Sequence, residues 1–438
     1  MSSRLPGAPP SGAAAQGGGE SGGLKARVLA ILCGIVLAGF AAAIVIEAAA
    51  DRYAATQPDA ALAWKSDSAV ALARQAELLS AAGDLASARA AAKLALSHDP
   101  LQALAIRVLG EAAARDGDLR TARVLMTEAG RRSRRDFPTQ SWLFSRRLAD
   151  GDIKGALESM DGIARAQDSR GGTLITAMAG EAGRAEALPL VVDQLALNPP
   201  WRFRFIRAFT NVAQPVRGVD LISALRDTAA PPTAQEYGVV INRALRAGDY
   251  ETGYLAWLMA IPKSRLGQLG YVHNGGFDPS PDPEPFNWIL PNNRRLEASI
   301  TRAPDRDGEA LHVVYAGAST PSASVKQMLL LPPGRYRLAG QERMEALRGD
   351  QGALWAVQCA GRRTRTMLGQ SATLQAVSEW KPFSLEFEVP ASECPAQWLL
   401  LMRSGRGEAH SPVLIDVWYD DFSIRRVGAA GAVTTPTP

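Results

Sequence analysis

The chain has 438 residues, 47% of them hydrophobic, enough for two or three domains and a sizeable core. A formal net charge of +4 is small for this length and argues against a nucleic-acid partner. The sequence contains no phosphate loop, nucleophile elbow or dinucleotide-binding glycine pattern, so composition and motif together assign no reaction.

Residues 1–24 are dominated by Gly, Pro, Ala and Ser and cannot bury enough apolar area to offset their ordering entropy, which predicts a disordered cytoplasmic tail. Residues 25–50 follow as a membrane segment. The run Val28–Ile46 has 19 residues without a charge. As a helix it would be about 28 Å long, close to the roughly 30 Å of a bilayer's hydrocarbon core. Lys25 and Arg27 precede the run and Glu47 and Asp51 follow it. That asymmetry places the tail inside and the bulk of the chain outside, a single-pass inner-membrane topology with a periplasmic body. A signal peptide cleaved near Ala48-Ala49-Ala50 is the competing reading. The length of the apolar run and of the segment before it favours an uncleaved signal anchor.

Residues 57–262 show helical periodicity and an internal repeat. Gly83, Gly117 and Gly151 are spaced by 34 (117 − 83 = 151 − 117), and Asp84, Asp118 and Asp152 keep the same step, as do Ala88, Ala122 and Ala156. Each Gly-Asp predicts one helix ending in a left-handed residue and the next opening on an Asp cap, with the Ala allowing close approach. Spacing and residue types resemble the tetratricopeptide repeat, most closely in Leu101–Ala129 and over about 67–170. The resemblance implies an all-α solenoid that binds proteins, here partners in the cell envelope. Further on, Gly183, Gly218 and Gly248 suggest degenerate units, for about six helical pairs in all. Two basic stretches, Arg131–Arg135 and Trp201–Arg207, read as a solvated helix end and as a helix whose aromatics pack inward.

The stretch Tyr271–Leu290 (YVHNGGFDPSPDPEPFNWIL) breaks the helical pattern, and residues 271–427 read as short, alternating strands. In FSLEFEV, Phe383, Leu385, Phe387 and Val389 alternate with polar residues as in a half-buried strand. An all-β sandwich is expected, with a disordered tail at 428–438. The opening Asn274-Gly275-Gly276-Phe277, the following Trp288 and the closing Trp418-Tyr419-Asp420-Asp421-Phe422 resemble the jelly-roll carbohydrate-binding modules. The resemblance implies a possible polysaccharide ligand and a calcium site at the junction of first and last strands, with Asn274, Asp278 and Asp421 as matching ligands. Trp288 and Trp380, beside polar loop residues, are the candidate sugar-stacking faces. Cys359 and Cys394, on the predicted outer side, are expected to form a disulfide, with two buried thiols as the alternative; Cys33 lies within the span. His98, His273, His312 and His410 lack metal-ligand spacing. No cofactor other than calcium and no enzymatic activity is expected. Anchor, repeats and sandwich together resemble accessory proteins of bacterial exopolysaccharide assembly and export.

Overall fold

The structure is a computed structural model that describes residues 20–166, 168–184, 186–280, 282–317, 324–349, 351–361, 366–374, 378–404 and 413–427. The predicted tails, apart from the last few residues of the first, lie outside the described residues. The fold class is the expected one: a long apolar helix, then a helical region, then antiparallel sheets. The chain divides into two compact units, 1–146 and 147–438. That division does not coincide with the change from helix to strand, because the last helical hairpins pack with the sandwich.

In the first unit, helix α1 (Glu20–Ala54) carries the apolar run, whose side chains are exposed along its length. The helix starts inside the expected tail, since adding a residue to an existing helix costs far less than nucleating one. Its C-terminal end is not a linker. Ala54 is buried, and it clusters with Ala61 of α2 (Pro58–Trp64) and Ala71 of α3 (Ala69–Ala81). The helices α4 (Leu85–His98), α5 (Ala103–Arg115) and α6 (Leu119–Arg132) follow, and α7 (Phe137–Ala149) begins in this unit.

The recurring Gly-Asp builds the same turn each time. Gly83 and Gly117 have φ of 88° and 82°, a region that costs Gly little and other residues more. The N–H of Asp84 donates to Leu79 O and that of Asp118 to Ala113 O, closing the preceding helix. The Asp84 and Asp118 carboxylates accept from Ser87 N and Thr121 N at 3.0 Å, capping the next helix. Ala88 and Ala122 are fully buried where the helices meet. One charge lies inside this alanine-rich core: Arg107, 4% exposed, pairs with Glu77, with Glu111 at 2.6 Å and with Asp136 at 3.1 Å.

The second unit repeats the device. Gly151 (φ 77°) and Gly248 (φ 83°) end helices, and Asp152 and Asp249 accept from Gly155 N and Thr252 N. Ala156 is fully buried. Gly218 behaves differently: it sits inside helix α12 (Pro215–Arg226) against Val240, so the spacing to it marks packing and not a turn. Helix α11 (Arg202–Val212) turns Phe205, Ile206 and Phe209 inward, with Trp201 at its start. Arg202 is itself buried. It pairs with the equally buried Glu236, the capping-box residue of α13 (Ala234–Ala247), at 2.8 Å. Helix α14 (Tyr250–Ala260) ends the helical region.

The sandwich has two antiparallel sheets. The six-stranded sheet runs in the order β1 (Asn292–Asn293), β2 (Leu296–Arg302), β3 (Glu309–Gly317), β10 (Val413–Arg426), β5 (Gly334–Arg348), β8 (Lys381–Val389). The four-stranded sheet runs β4 (Lys326–Leu329), β9 (Gln397–Arg403), β6 (Ala353–Cys359), β7 (Met367–Gln370). Alternation aims Leu385, Phe387 and Val389 of β8 into the core beside Tyr336 and Trp355. Cys359 and Cys394 are disulfide-bonded, joining the end of β6 to the loop before β9.

The stretch before β1 is part of the sandwich. The pairing of β10 with β5 shifts register between Asp420 and Ser423, and Asp421 takes a φ of 55° there. The opening loop fills that bulge, with the Phe422 N–H donating to Gly275 O at 2.8 Å. A Cβ on Gly275 would lie 2.0 Å from Phe422 O, so only glycine fits. Gly275→Ala should therefore destabilise the sandwich by about 2 kcal/mol or more, against a few tenths for Gly276→Ala, which has open space around it. Thermal or denaturant unfolding of the two variants checks this, and equal melting of both would contradict it.

Candidate functional site

The residues singled out in the sequence converge on this bulge, but not as ligands. The Asn274 side chain is spent on the loop itself: its Oδ1 accepts from Asp278 N at 2.9 Å and its Nδ2 donates to Asp278 O at 2.7 Å. The Asp421 carboxylate is held by Arg306 at 2.7 Å, and the same guanidinium lies 3.3 Å from Asp420. A cation of the chain's own thus stands where calcium would need open oxygens. Among the described residues no group of three or more His, Cys, Asp or Glu is arranged to hold a metal. The Asn274 amide and the Asp421 carboxylate are thus already engaged, and Asp278 is exposed.

Trp288 corrects a second expectation. It is 4% exposed, donates Nε1–H to Asn274 O at 2.9 Å, and packs against Phe277, Trp355 and Phe422. Its area is used by the core and its one polar group is satisfied internally, so it offers no face to a sugar. Trp380 is half-buried; its Nε1 donates to Pro304 O at 3.0 Å and the Arg306 guanidinium lies 4.9 Å from its ring centroid. Arg306 therefore ties Trp380 to the Asp420-Asp421 bulge.

A better-built concavity lies where α14 meets the sandwich. Tyr254 and Trp257 of α14 pack with Phe286, and Trp257 meets the His273 ring edge-on at 4.9 Å. Next to them opens a cleft of about 560 Å³ whose walls include Tyr254, Tyr271, His273, Phe286, Gln327 and Met328. Tyr271 is 41% exposed. His273 is 4% exposed, and its Nε2 meets Asp282 Oδ2 at 3.0 Å; Asp282 also takes Arg265 at 2.7 Å and the Ser280 hydroxyl at 2.8 Å. Burial pushes the imidazole below its ordinary range, against the pull of Asp282, so the neutral ring prevails. Facing a carboxylate, Nε2 carries the proton, which leaves Nδ1 as an acceptor, and Nδ1 has no partner. The cleft thus has aromatic walls, with the buried His273 imidazole behind them.

Sequence inspection did not find His273, Asp282 and Arg265 as a group. They are scattered in a proline-rich segment, and no spacing rule links them. The pair His312–Asp416, 2.7 Å apart, with His312 stacked on Trp418 at 4.1 Å, was equally hidden, being formed across the strand pair β3–β10. Arg202 was visible as part of an alternating aromatic-basic run, though its partner Glu236 was not.

The chain matches no family model and no curated protein. Among solved structures it is similar to a CBM4 module (14% identity, covering 36% of this chain and 99% of that one, TM-score 0.27). It is also similar to the CBM22-1 xylan-binding domain of Paenibacillus barcinonensis Xyn10C (14%, 33% and 87%, TM-score 0.25) and to TmCBM61 in complex with β-1,4-galactotriose (17%, 36% and 99%, TM-score 0.24). These are likenesses of fold over about a third of the chain, the share occupied by the sandwich.

One buried acid gives the sandwich a pH signature. Glu342, 6% exposed, sits across from Tyr419 with Lys381 at 3.8 Å, and burial pushes its carboxyl from 4.5 up to about 7. The folded state favours the protonated form, so this stabilisation is complete below about pH 4.5 and is lost as pH rises through 7. Glu342→Gln should remove a loss of about 3 kcal/mol between pH 5 and 8, flattening that part of the stability curve. Parallel curves for variant and wild type would contradict the assignment.

Proposed function

We propose that this protein is a non-enzymatic, membrane-anchored adaptor of a bacterial envelope, with its helical repeats holding a protein partner and its sandwich held near the membrane. The observation that carries the reading is the unbroken α1. It includes 28 residues, Arg27–Ala54, long and apolar enough to cross a membrane. It then enters the core of the first helical unit through Ala50 and Ala54, which are 1% and 2% exposed. Residues that belong to a folded core are a poor leader to discard, which favours a retained anchor in the inner membrane with a periplasmic body. The tetratricopeptide-like Gly-Asp hairpins support a protein-binding role, as do Leu94 and Val124, exposed apolar residues on α4 and α6. Polysaccharide assembly or export is the pathway we propose for such an adaptor, by analogy of architecture. Crosslinking in cells followed by capture of the full chain should recover a defined envelope protein, and Leu94→Glu/Val124→Glu should lose it without changing membrane association. Recovery of the same proteins with the double variant would refute the adaptor reading.

A second reading rests on the cleft beside α14: the sandwich binds glycan there, with Tyr271 and Tyr254 supplying ring faces. Full-length protein in detergent should then be retarded by polysaccharide in an affinity gel. Tyr271→Ala should weaken binding about tenfold, equivalent to about 1.4 kcal/mol. Migration unaffected by neutral and acidic polymers alike would sink this reading.

A further inference from the structure

The hairpins of the first unit have two edges, and one of them lies at the level where the uncharged run of α1 ends. The stem α1 leads away from the apolar run, and α2 returns along it. The Lys65 ammonium, just past the end of α2, reaches Glu47 at 2.6 Å, and Glu47 is the first charged residue after the run Val28–Ile46. Helix α3 reverses again, with Gln75 donating to Asp59 of α2 at 2.9 Å. The connection 65–68 therefore lies at the level where the apolar segment ends, while the turn at Gly83 lies at the opposite end of α3. Helix α5 runs alongside α3 in the same sense: Arg107 meets Glu77, and Arg115 donates to Ser80 O at 3.1 Å. The connections 99–102 and 133–136 consequently share the edge of 65–68, the last of them tied to α5 by Asp136 on Arg107.

What this edge displays differs from an ordinary solvated turn. Trp64 is 53% exposed and Leu101 65% exposed, two apolar tips beside the end of the span. Arg131, Arg134 and Arg135 are exposed at the end of α6; Glu128 takes Arg132 at 2.6 Å and lies 3.9 Å from Arg131. Of the acids on the edge, Glu47 is paired with Lys65 and Asp136 with Arg107, whereas Asp51 and Asp67 are exposed near Lys65 and Asp99 keeps its charge while accepting from Leu101 N. Trp64 stands beside the end of the span and the arginines gather further along the same edge, after α6; aromatic and basic residues on one edge are the chemistry of a headgroup layer.

We propose that this edge of the first helical unit, with Trp64, Leu101, Arg131, Arg134 and Arg135, lies on the bilayer and binds anionic phospholipid headgroups. The surface rests on the anchor reading of α1 and adds to it a second, charge-dependent contact. It would fix the orientation of the repeats against the membrane instead of leaving them to swing on the stem. Arginines near an anionic surface are attracted to it within a Debye length, which biases an orientation that the stem already permits.

The test uses the full chain with Cys33→Ala, reconstituted into lipid nanodiscs. A fluorophore is attached through His98→Cys on the proposed membrane edge or through Ala82→Cys at the opposite edge; both residues are exposed. The discs carry a lipid with a quenching headgroup and contain either phosphatidylcholine alone or phosphatidylcholine with phosphatidylglycerol. The fluorophore at 98 should be quenched about threefold more in phosphatidylglycerol discs than in phosphatidylcholine discs, with the excess lost in Arg131→Glu/Arg134→Glu/Arg135→Glu and in high salt. The fluorophore at 82 should be insensitive to lipid. Equal quenching at 98 in the two lipids, or equal quenching at 98 and 82, overturns the surface while leaving the anchor intact. Failure of the chain to enter the discs overturns the anchor, and the surface with it.

Discussion

The second unit depends on a backbone contact that leaves no room for a side chain, the meeting of Gly275 with Phe422. It pins the segment before β1 into the bulge of β10. With that segment fixed, Trp288 can reach Asn274 O and seal the core between Phe277, Trp355 and Phe422. The same anchoring sets His273 against Trp257, so the last helical hairpin and the sandwich share one apolar seam through Trp257, Phe286, Met328 and Ala396. The cleft along that seam follows from the pinned loop: its walls come from both sides, and neither side alone encloses it. A Tyr250 hydroxyl donating to Ala360 O at 2.9 Å adds a polar tie across the same seam.

The helical region relies on a different economy. Alanine at the contacts buries little area per residue, which limits the hydrophobic contribution. It also brings the helix backbones close together, and the Gly-Asp turns spend few residues on each reversal. Into this lean core the chain places Arg107 with three carboxylates and, further on, Arg202 with Glu236. Buried pairs of this kind contribute little net stability, since desolvation offsets the attraction, but removing one partner strands a charge. They act as register pins. Arg107 joins α3, α5 and the connection before α7, and Arg202 joins the start of α11 to the start of α13.

The stem carries the helical unit without a slack linker, so the level of its connections above the apolar run is determined by helix geometry. Of the predicted ligand positions, Asn274 and Trp288 turned out to be internal, whereas Asp278 and Asp421 are exposed. Arg306 neutralises Asp420 and Asp421 and lies over Trp380, and Asn274 closes its own loop. What remains open is the aromatic cleft and the basic, apolar edge, neither of which is a linear motif.

Sequence alone determined whatever depends on local periodicity and turn chemistry. The apolar run, the Gly-Asp reversals at 83, 117 and 151, the alternation in β8 and the change of architecture near 271 all follow from neighbours a few residues apart. The end of β6 and the loop before β9 brought Cys359 and Cys394 together as anticipated for an oxidising compartment. Tertiary structure alone decided which aromatic residues face solvent, because Trp288 and Trp380 stand in similar local sequence. One was drawn inside by a carbonyl at Asn274, and the other was covered by an arginine from a separate loop. It also decided that Gly218 packs inside a helix, that His273 finds Asp282, and that residues 64, 101 and 131–135 share an edge. Such outcomes depend on which distant groups satisfy a buried polar atom or occupy a free volume. The chain settles that only when its elements close on one another.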